Sequence, residues 1–171
     1  MRYLLICLVL IASSAFAQDK AKPEDVKSVD AIVAALYDVI SGPIGKERDW
    51  ERMRSLFASD AAMSVVGTSR TGTGYRRALT VEDYIKASGP FLKEKGFYEK
   101  EIARKVEVFG GIAHVFSTYE SRWKPDDAKP FERGINSIQL WSDGKRWWVQ
   151  TVMWQGESEK SPLPAKYLPG G

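Results

Sequence analysis

Two long β-hairpins in the last third of the chain constrain its fold more than any other feature. They extend over residues 97–155 and hold five of the six tryptophans. Gly110-Gly111 and Asp143-Gly144 are the dipeptides that two-residue hairpin turns favour, because such turns need positive φ angles. Strands this long and aromatic must be covered on at least one face. We expect the helical sequence before them to supply that cover.

The segment before the hairpins predicts three helices and one short strand. Apolar residues recur at helical spacing and place helices over 25–41, 48–58 and 81–95. Thr80 and Asp83 have the spacing of a capping box at the start of the third helix. A strand is predicted over 61–66, and the glycine-rich residues 67–78 are expected to form a loop or a loose hairpin. The order is ααβα followed by an antiparallel meander, which indicates an α+β fold.

The first 17 residues have the pattern of a cleavable signal peptide. A short basic start precedes an apolar run, and Ala15-Phe16-Ala17 has the A-x-A form of a cleavage site. The apolar run is too short for a membrane span. We therefore expect cleavage after Ala17 and a secreted or periplasmic protein. The only cysteine, Cys7, would leave with the signal peptide, so the mature chain would form no disulfide.

The remaining residues suit one domain with short flanking segments. Residues 18–24 are expected to be a flexible leader, 25–156 the domain, and 157–171 a proline-rich C-terminal tail. Removing Arg2 leaves 24 of the 25 basic residues against 22 acidic ones. A charge so close to balance, with scattered basic residues, does not predict nucleic-acid binding.

Two passages resemble the nuclear transport factor 2-like (NTF2-like, also SnoaL-like) superfamily. They are LFASDAAMSVVG, from the second helix into the first strand, and DGKRWWVQTVMW in the last hairpin. The resemblance covers about residues 25–156 and implies a conical half-barrel, in which a curved sheet wraps around the helices and leaves a pocket. The superfamily includes isomerases, cyclases, dehydratases and pure binding or assembly modules, so the fold does not select a function.

Pairing the residues that flank each turn predicts which side chains face the helices. Around the first turn Val106 opposes Val115, Arg104 opposes Ser117 and Ile102 opposes Tyr119. Around the second turn Ile138 opposes Val149 and Asn136 opposes Thr151. A bulge in strands of this length would exchange the two faces beyond it. The pocket candidates are Met63, Val65, Arg104, Ser117, Tyr119, Asn136, Thr151 and Met153.

The opposite face of the second hairpin is also apolar. A sheet that is apolar on both faces is expected to be covered on both. We therefore expect a homodimer that packs through this outer face. The candidate residues for the dimer face are Trp141, Trp148, Val152 and Trp154.

The sequence offers no established catalytic group. The single histidine, His114, is expected on the outer face opposite Glu107. One histidine and no mature cysteine argue against a metal site, and no cofactor motif is present. The resemblance to ketosteroid isomerases places the base position near Val65, which cannot accept a proton. If the strands are bulged, the acids to consider are Asp60, Glu120 and Glu132.

Three functions follow as hypotheses. The first is an exported protein that binds a small, partly apolar molecule in the cone. That molecule would carry an anionic group if Arg104 is not already paired with an acid such as Glu132. The second is an isomerase, cyclase or dehydratase that uses an acid at the pocket mouth, recognisable as a buried acid with a raised pKa. The third is a homodimeric interaction module with a filled pocket.

Overall fold

The computed structural model describes residues 21–69 and 71–171, so the predicted signal peptide lies outside the described residues. Four helices precede or interrupt the sheet: α1 (Pro23–Val26), α2 (Val29–Ile40), α3 (Trp50–Leu56) and α4 (Val81–Lys95). The six strands are β1 (Phe57–Thr68), β2 (Gly74–Leu79), β3 (Tyr98–Phe109), β4 (Ile112–Arg122), β5 (Glu132–Ser142) and β6 (Trp147–Gly156). The α+β prediction is confirmed.

Helices α2, α3 and α4 begin where polar side chains satisfy free backbone N–H groups. Ser28 accepts a hydrogen bond from the N–H of Ala31 at the start of α2. The predicted capping box of α4 is confirmed, since Thr80 and Asp83 each accept from the other's backbone. α4 continues past Pro90 and ends at Lys95. These caps fix the ends of the two helices that cover the sheet.

The strands form one sheet in the order β2-β1-β6-β5-β4-β3. Neighbours are antiparallel except for β1 and β6, which are parallel. The region predicted as a loop or loose hairpin forms β2 and pairs with β1. On the concave face of the sheet, side chains of α2, α3, β4, β5 and β6 form the core, with Ile32, Leu56, Val115, Ile138 and Val149 almost fully buried.

The first hairpin has the predicted turn and a bulge that was not predicted. Val106 opposes Val115 and Arg104 opposes Ser117, as expected. The register then shifts at Ile102, so that Glu101 rather than Ile102 lies opposite Tyr119. A bulge adds one residue to one strand and exchanges the faces beyond it. Glu101, and with it Glu99 two residues earlier, therefore faces inward. The register predicted from the sequence places this set of residues on the outer face.

The second hairpin departs from the predicted register twice. Ser142 pairs with Trp147, so the loop holds four residues rather than two. The Asp143 carboxylate accepts hydrogen bonds from the backbone N–H groups of Lys145 and Arg146 and stabilises this longer loop. The predicted pairings of Asn136 with Thr151 and of Ile138 with Val149 were wrong.

A bulge at Gln150 then exchanges the faces of β6. Val152 pairs with Ile138 and Trp154 with Asn136, on the inner face of the sheet. Thr151 and Met153 pair with Gln139 and Ser137 on the outer face. The predicted placements of these four β6 residues are therefore reversed.

Candidate functional site

A cavity of about 250 Å³ lies between α2, α4 and the concave face of the sheet. Most of its wall is apolar or aromatic, with Leu36, Ile40, Met53, Phe57, Met63, Phe91, Leu92, Phe97, Ile138, Val152 and Trp154 among the lining residues. The Tyr84 ring meets the indole of Trp154 edge to face at 6.2 Å. The polar lining groups are Tyr37, Tyr84, Ser88, Glu99, Tyr119, Ser121, Glu132 and Asn136.

Glu99 is the most perturbed acid of the site. The hydroxyl of Ser121 donates to its carboxylate at 2.9 Å, and the Asn136 side chain also forms a hydrogen bond with it. Burial disfavours the charged form and raises the pKa of Glu99 to about 7, and the negative charge of Glu132 adds to the increase. The two hydrogen bonds act in the opposite direction but do not offset burial. Glu99 can therefore gain or lose a proton near neutral pH.

Tyr119 and Glu132 form the second polar group of the cavity. The Tyr119 hydroxyl donates to the Glu132 carboxylate at 2.7 Å. The Tyr119 side chain is buried, which raises its pKa and keeps it protonated, whereas Glu132 is exposed at the mouth. A Cβ atom at Gly134 would lie 2.6 Å from the Tyr119 hydroxyl, so glycine is needed there for the ring to occupy this position.

A chain of hydrogen bonds leads from the cavity into the core. The Asn136 side chain donates to the Tyr37 hydroxyl at 3.1 Å, and that hydroxyl lies 2.7 Å from the Ser117 hydroxyl. The Ser117 hydroxyl in turn donates to the carboxylate of Glu101. Burial raises the pKa of Tyr37, so its hydroxyl stays neutral at physiological pH. These bonds hold the Asn136 amide beside Glu99.

Arg104 does not reach the cavity. Its guanidinium lies 2.5 Å from the Glu101 carboxylate and 2.7 Å from that of Asp30. From the sequence, Arg104 was expected to meet either an anionic ligand or an acid such as Glu132. The structure shows acidic partners, but they are Glu101 and Asp30. The bulge at Ile102 explains the difference, because it turns Glu101 to the same face as Arg104.

The remaining pocket candidates divide between the two faces. Met63, Tyr119 and Asn136 line the cavity. Ser117 is fully buried behind Tyr37, and Val65 pairs with Trp154 along the sheet without lining the cavity. Thr151 and Met153 lie on the outer face, where Met153 is 42% exposed.

The dimer-face candidates divide as well. Trp141 and Trp148 lie on the outer face with their rings stacked at 6.0 Å, while Val152 and Trp154 line the cavity. The Trp148 indole donates to Asp143 at 3.0 Å. The C-terminal segment covers the neighbouring part of this face, where the Tyr167 ring packs 4.9 Å from that of Phe116.

The other titratable candidates lie away from the cavity. His114 faces outward as predicted, with its Nδ1 3.8 Å from the Glu107 carboxylate. Asp60 accepts a hydrogen bond from Gln150, and Glu120 pairs with Lys100 at 3.0 Å and with Arg122. The described residues contain no cluster of three or more His, Cys, Asp or Glu that could hold a metal ion.

The sequence register missed Glu99, the acid most central to the cavity. The bulge at Ile102 reverses its face, and the single sequence gives no signal for a bulge at that point.

Within residues 21–69 and 71–171, no helix is both long and apolar enough to cross a membrane.

Comparison with solved structures identifies the fold. A protein of unknown function with a cystatin-like fold from Nostoc punctiforme aligns with a TM-score of 0.57 at 12% identity, over 77% of this chain and 90% of the other. An NTF2-like protein of unknown function from Silicibacter pomeroyi aligns with a TM-score of 0.50 at 15% identity, over 77% and 94% of the two chains. The chain has the NTF2-like fold.

A third solved structure that aligns with the chain has an assigned role. It is a protein assigned as the beta subunit of an aromatic-ring-hydroxylating dioxygenase from Novosphingobium aromaticivorans, with a TM-score of 0.55 and 12% identity over 80% of this chain and 95% of the other. Likeness at this level of identity establishes the fold and not the function. No protein-family model and no curated protein matches the sequence.

Proposed function

We propose that this NTF2-like protein binds a small, mainly apolar molecule in its cone, with a polar group of that molecule held against Glu99. The observation that carries the proposal is that Glu99 and Glu132, with their hydrogen-bonded partners Ser121 and Tyr119, line a mainly apolar cavity. Apolar walls with a few convergent polar groups are typical of small-molecule sites. The anionic group that the sequence suggested is left out, because Arg104 is paired elsewhere.

The size of the cavity limits the ligand. Its volume of about 250 Å³ lies just below the range of roughly 300–1,000 Å³ typical of ligand pockets. A molecule with one ring and a short polar arm suits such a space better than a steroid or a long acyl chain.

Filling the cavity provides the test of binding. Val152→Phe would place a ring in the cone, whereas Met153→Phe places the same ring on the outer face of the same strand. We expect benzyl alcohol to bind the wild-type protein and Met153→Phe alike in calorimetry or NMR titration, and Val152→Phe to bind at least tenfold more weakly. Equal binding by both variants would refute a site in the cone.

A second function, proton-transfer catalysis by Glu99, is favoured by its pKa of about 7. A general base works best when its pKa lies near the working pH. A small enolisable ketone in D₂O should exchange its α-protons faster with the wild-type protein than with Glu99→Gln, by roughly 10²-fold, the lower end of what general base catalysis contributes. Equal exchange rates for the wild-type protein and Glu99→Gln would show that Glu99 does not catalyse this proton transfer, and binding alone would remain as the proposed function.

Export and dimerisation complete the proposal. The pattern of residues 1–17 supports export, and N-terminal sequencing of secreted protein should give Gln18 as the first residue. Trp141, 36% exposed on the outer face, supports a dimer contact there. Light scattering should show a dimer that Trp141→Glu converts to a monomer, and a wild-type monomer would contradict this part of the proposal.

A further inference from the structure

The charged side chains among the described lining residues of the cavity are both acidic. Glu99 and Glu132 both line it, and none of its described lining residues is Lys, Arg or His. Neither carboxyl group lies within 4 Å of the charged nitrogen of a described Lys or Arg. The arrangement differs from that of Glu120, on the outer face, which pairs with two basic residues. The cavity thus holds two acids without a cation of its own.

Arg48, a buried cation that contacts two residues of the cavity wall, is committed to other partners. Arg48 is 5% exposed, and its guanidinium donates to the backbone carbonyls of Ile40, Gly42, Lys46 and Leu92. It therefore cannot turn into the cavity without leaving these acceptors unsatisfied. The cavity therefore receives no positive charge from Arg48.

The aromatic lining also suits a cation. Tyr84 and Trp154 meet edge to face, and Phe97 and Tyr119 line the same space. Aromatic rings attract ammonium groups through their negative faces, most strongly where water is excluded. An anionic ligand would instead bring its negative charge beside the two carboxyl groups, and like charges so close together repel each other.

We infer that the cone selects a protonated amine with a compact apolar body, whose ammonium group lies at the end of the cavity formed by Glu99 and Glu132. This inference rests on the proposed binding function and adds the charge class of the ligand. Ammonium donors would bond to the carboxylates, and the apolar body would contact the walls around Leu36, Met53 and Val152.

Binding of such a cation should be linked to the protonation of Glu99. The titratable groups that face Glu99 are Tyr37 on α2, Tyr84 on α4, Tyr119 on β4 and Glu132 on β5. Burial raises the pKa of each of these three tyrosines, so they stay neutral below about pH 8. An ammonium ion favours the ionised carboxylate, and its affinity should rise with pH as Glu99 loses its proton.

Three ligands of nearly equal shape test the charge class. Benzylamine, benzyl alcohol and benzoate differ mainly in the charge of the polar arm, and calorimetry at about pH 7.5 would compare them. We expect benzylamine to bind at least tenfold more tightly than benzyl alcohol, which is about 1.4 kcal/mol, and benzoate to bind most weakly. Benzyl alcohol binding as tightly as benzylamine, or benzoate binding best, would overturn the inference while leaving the proposed binding function intact.

Charge-removing variants locate the effect. Glu99→Gln and Glu132→Gln should each reduce the preference for benzylamine over benzyl alcohol, and a near-ultraviolet circular dichroism spectrum like that of the wild-type protein would show that each variant remains folded. Glu107→Gln removes the same charge from the exposed outer face and should keep the wild-type preference. A preference unchanged in both cavity variants would overturn the inference. Failure of all three ligands to bind the wild-type protein would refute the proposed function and the inference together.

Discussion

Replacement of Glu99 by glutamine should change how the stability of the protein depends on pH. Glutamine has nearly the same shape, and its side-chain oxygen can still accept the hydrogen bond of the Ser121 hydroxyl. It cannot ionise, however. The folded-state pKa of Glu99 is about 7 against a value of 4.5 in the unfolded chain. In the wild-type protein, the folded state therefore holds a proton that the unfolded state releases between these two values.

The sign and size of the effect follow from this difference. A raised carboxyl pKa contributes stability that is fully present below about pH 4.5 and is lost as the pH rises through about 7. Each pKa unit corresponds to about 1.4 kcal/mol, so the wild-type protein should lose up to about 3 kcal/mol that Glu99→Gln does not lose. The variant should match the wild type near pH 4.5 and exceed it by this amount near pH 8.

Urea unfolding of both proteins at several pH values measures the difference. Every other titrating group is shared, so its contribution cancels when the two curves of unfolding free energy against pH are subtracted. Glu107→Gln is the control for loss of a carboxyl group on the exposed face, and it should show no comparable pH-dependent gain. A Glu99→Gln curve parallel to that of the wild type would refute the reasoning that burial beside Glu132 raises the pKa of Glu99.

Two further substitutions test the geometry around the cavity. Gly134→Ala would press a methyl group against the backbone carbonyl of Gln155 and bring it to 2.6 Å from the Tyr119 hydroxyl, so it should lower the unfolding free energy by about 1–3 kcal/mol. Gly74→Ala, which has open space around it, should have no such effect, and equal effects in thermal unfolding would contradict this packing. Arg104→Met should leave the benzylamine affinity, measured by calorimetry, within about twofold of the wild-type value. It should lower the unfolding free energy by about 1 kcal/mol, because the ion pair with Glu101 is lost. A large loss of benzylamine binding would instead place Arg104 in the site.

Much of the fold could be predicted from the sequence because its signals are local. The caps of α4 depend on residues three apart, and the first hairpin depends on Gly110, whose φ of 53° glycine adopts without strain. The helical cover of the concave face follows from the spacing of apolar residues in α2. These features require no knowledge of distant contacts.

The site depends on features that local sequence does not specify. One extra residue at Ile102 brings Glu99 and Glu101 to the inner face, and one at Gln150 brings Val152 and Trp154 there. Because side chains alternate with period two, each bulge reverses every placement beyond it. Asn136 and Tyr119 were placed correctly because they lie on strands β5 and β4, which carry no bulge between them.

Direct observation of what occupies the cone is the best test that a small molecule binds there against Glu99. Native mass spectrometry of protein purified from its native source, followed by a crystal structure of the same sample, would weigh and locate what is bound. We expect a low-mass basic compound with a nitrogen within hydrogen-bond distance of the Glu99 carboxylate. A mass equal to that of the polypeptide alone, together with a cone that holds only water in the crystal structure, would contradict this expectation. An anion bound near Arg104 would contradict it as well.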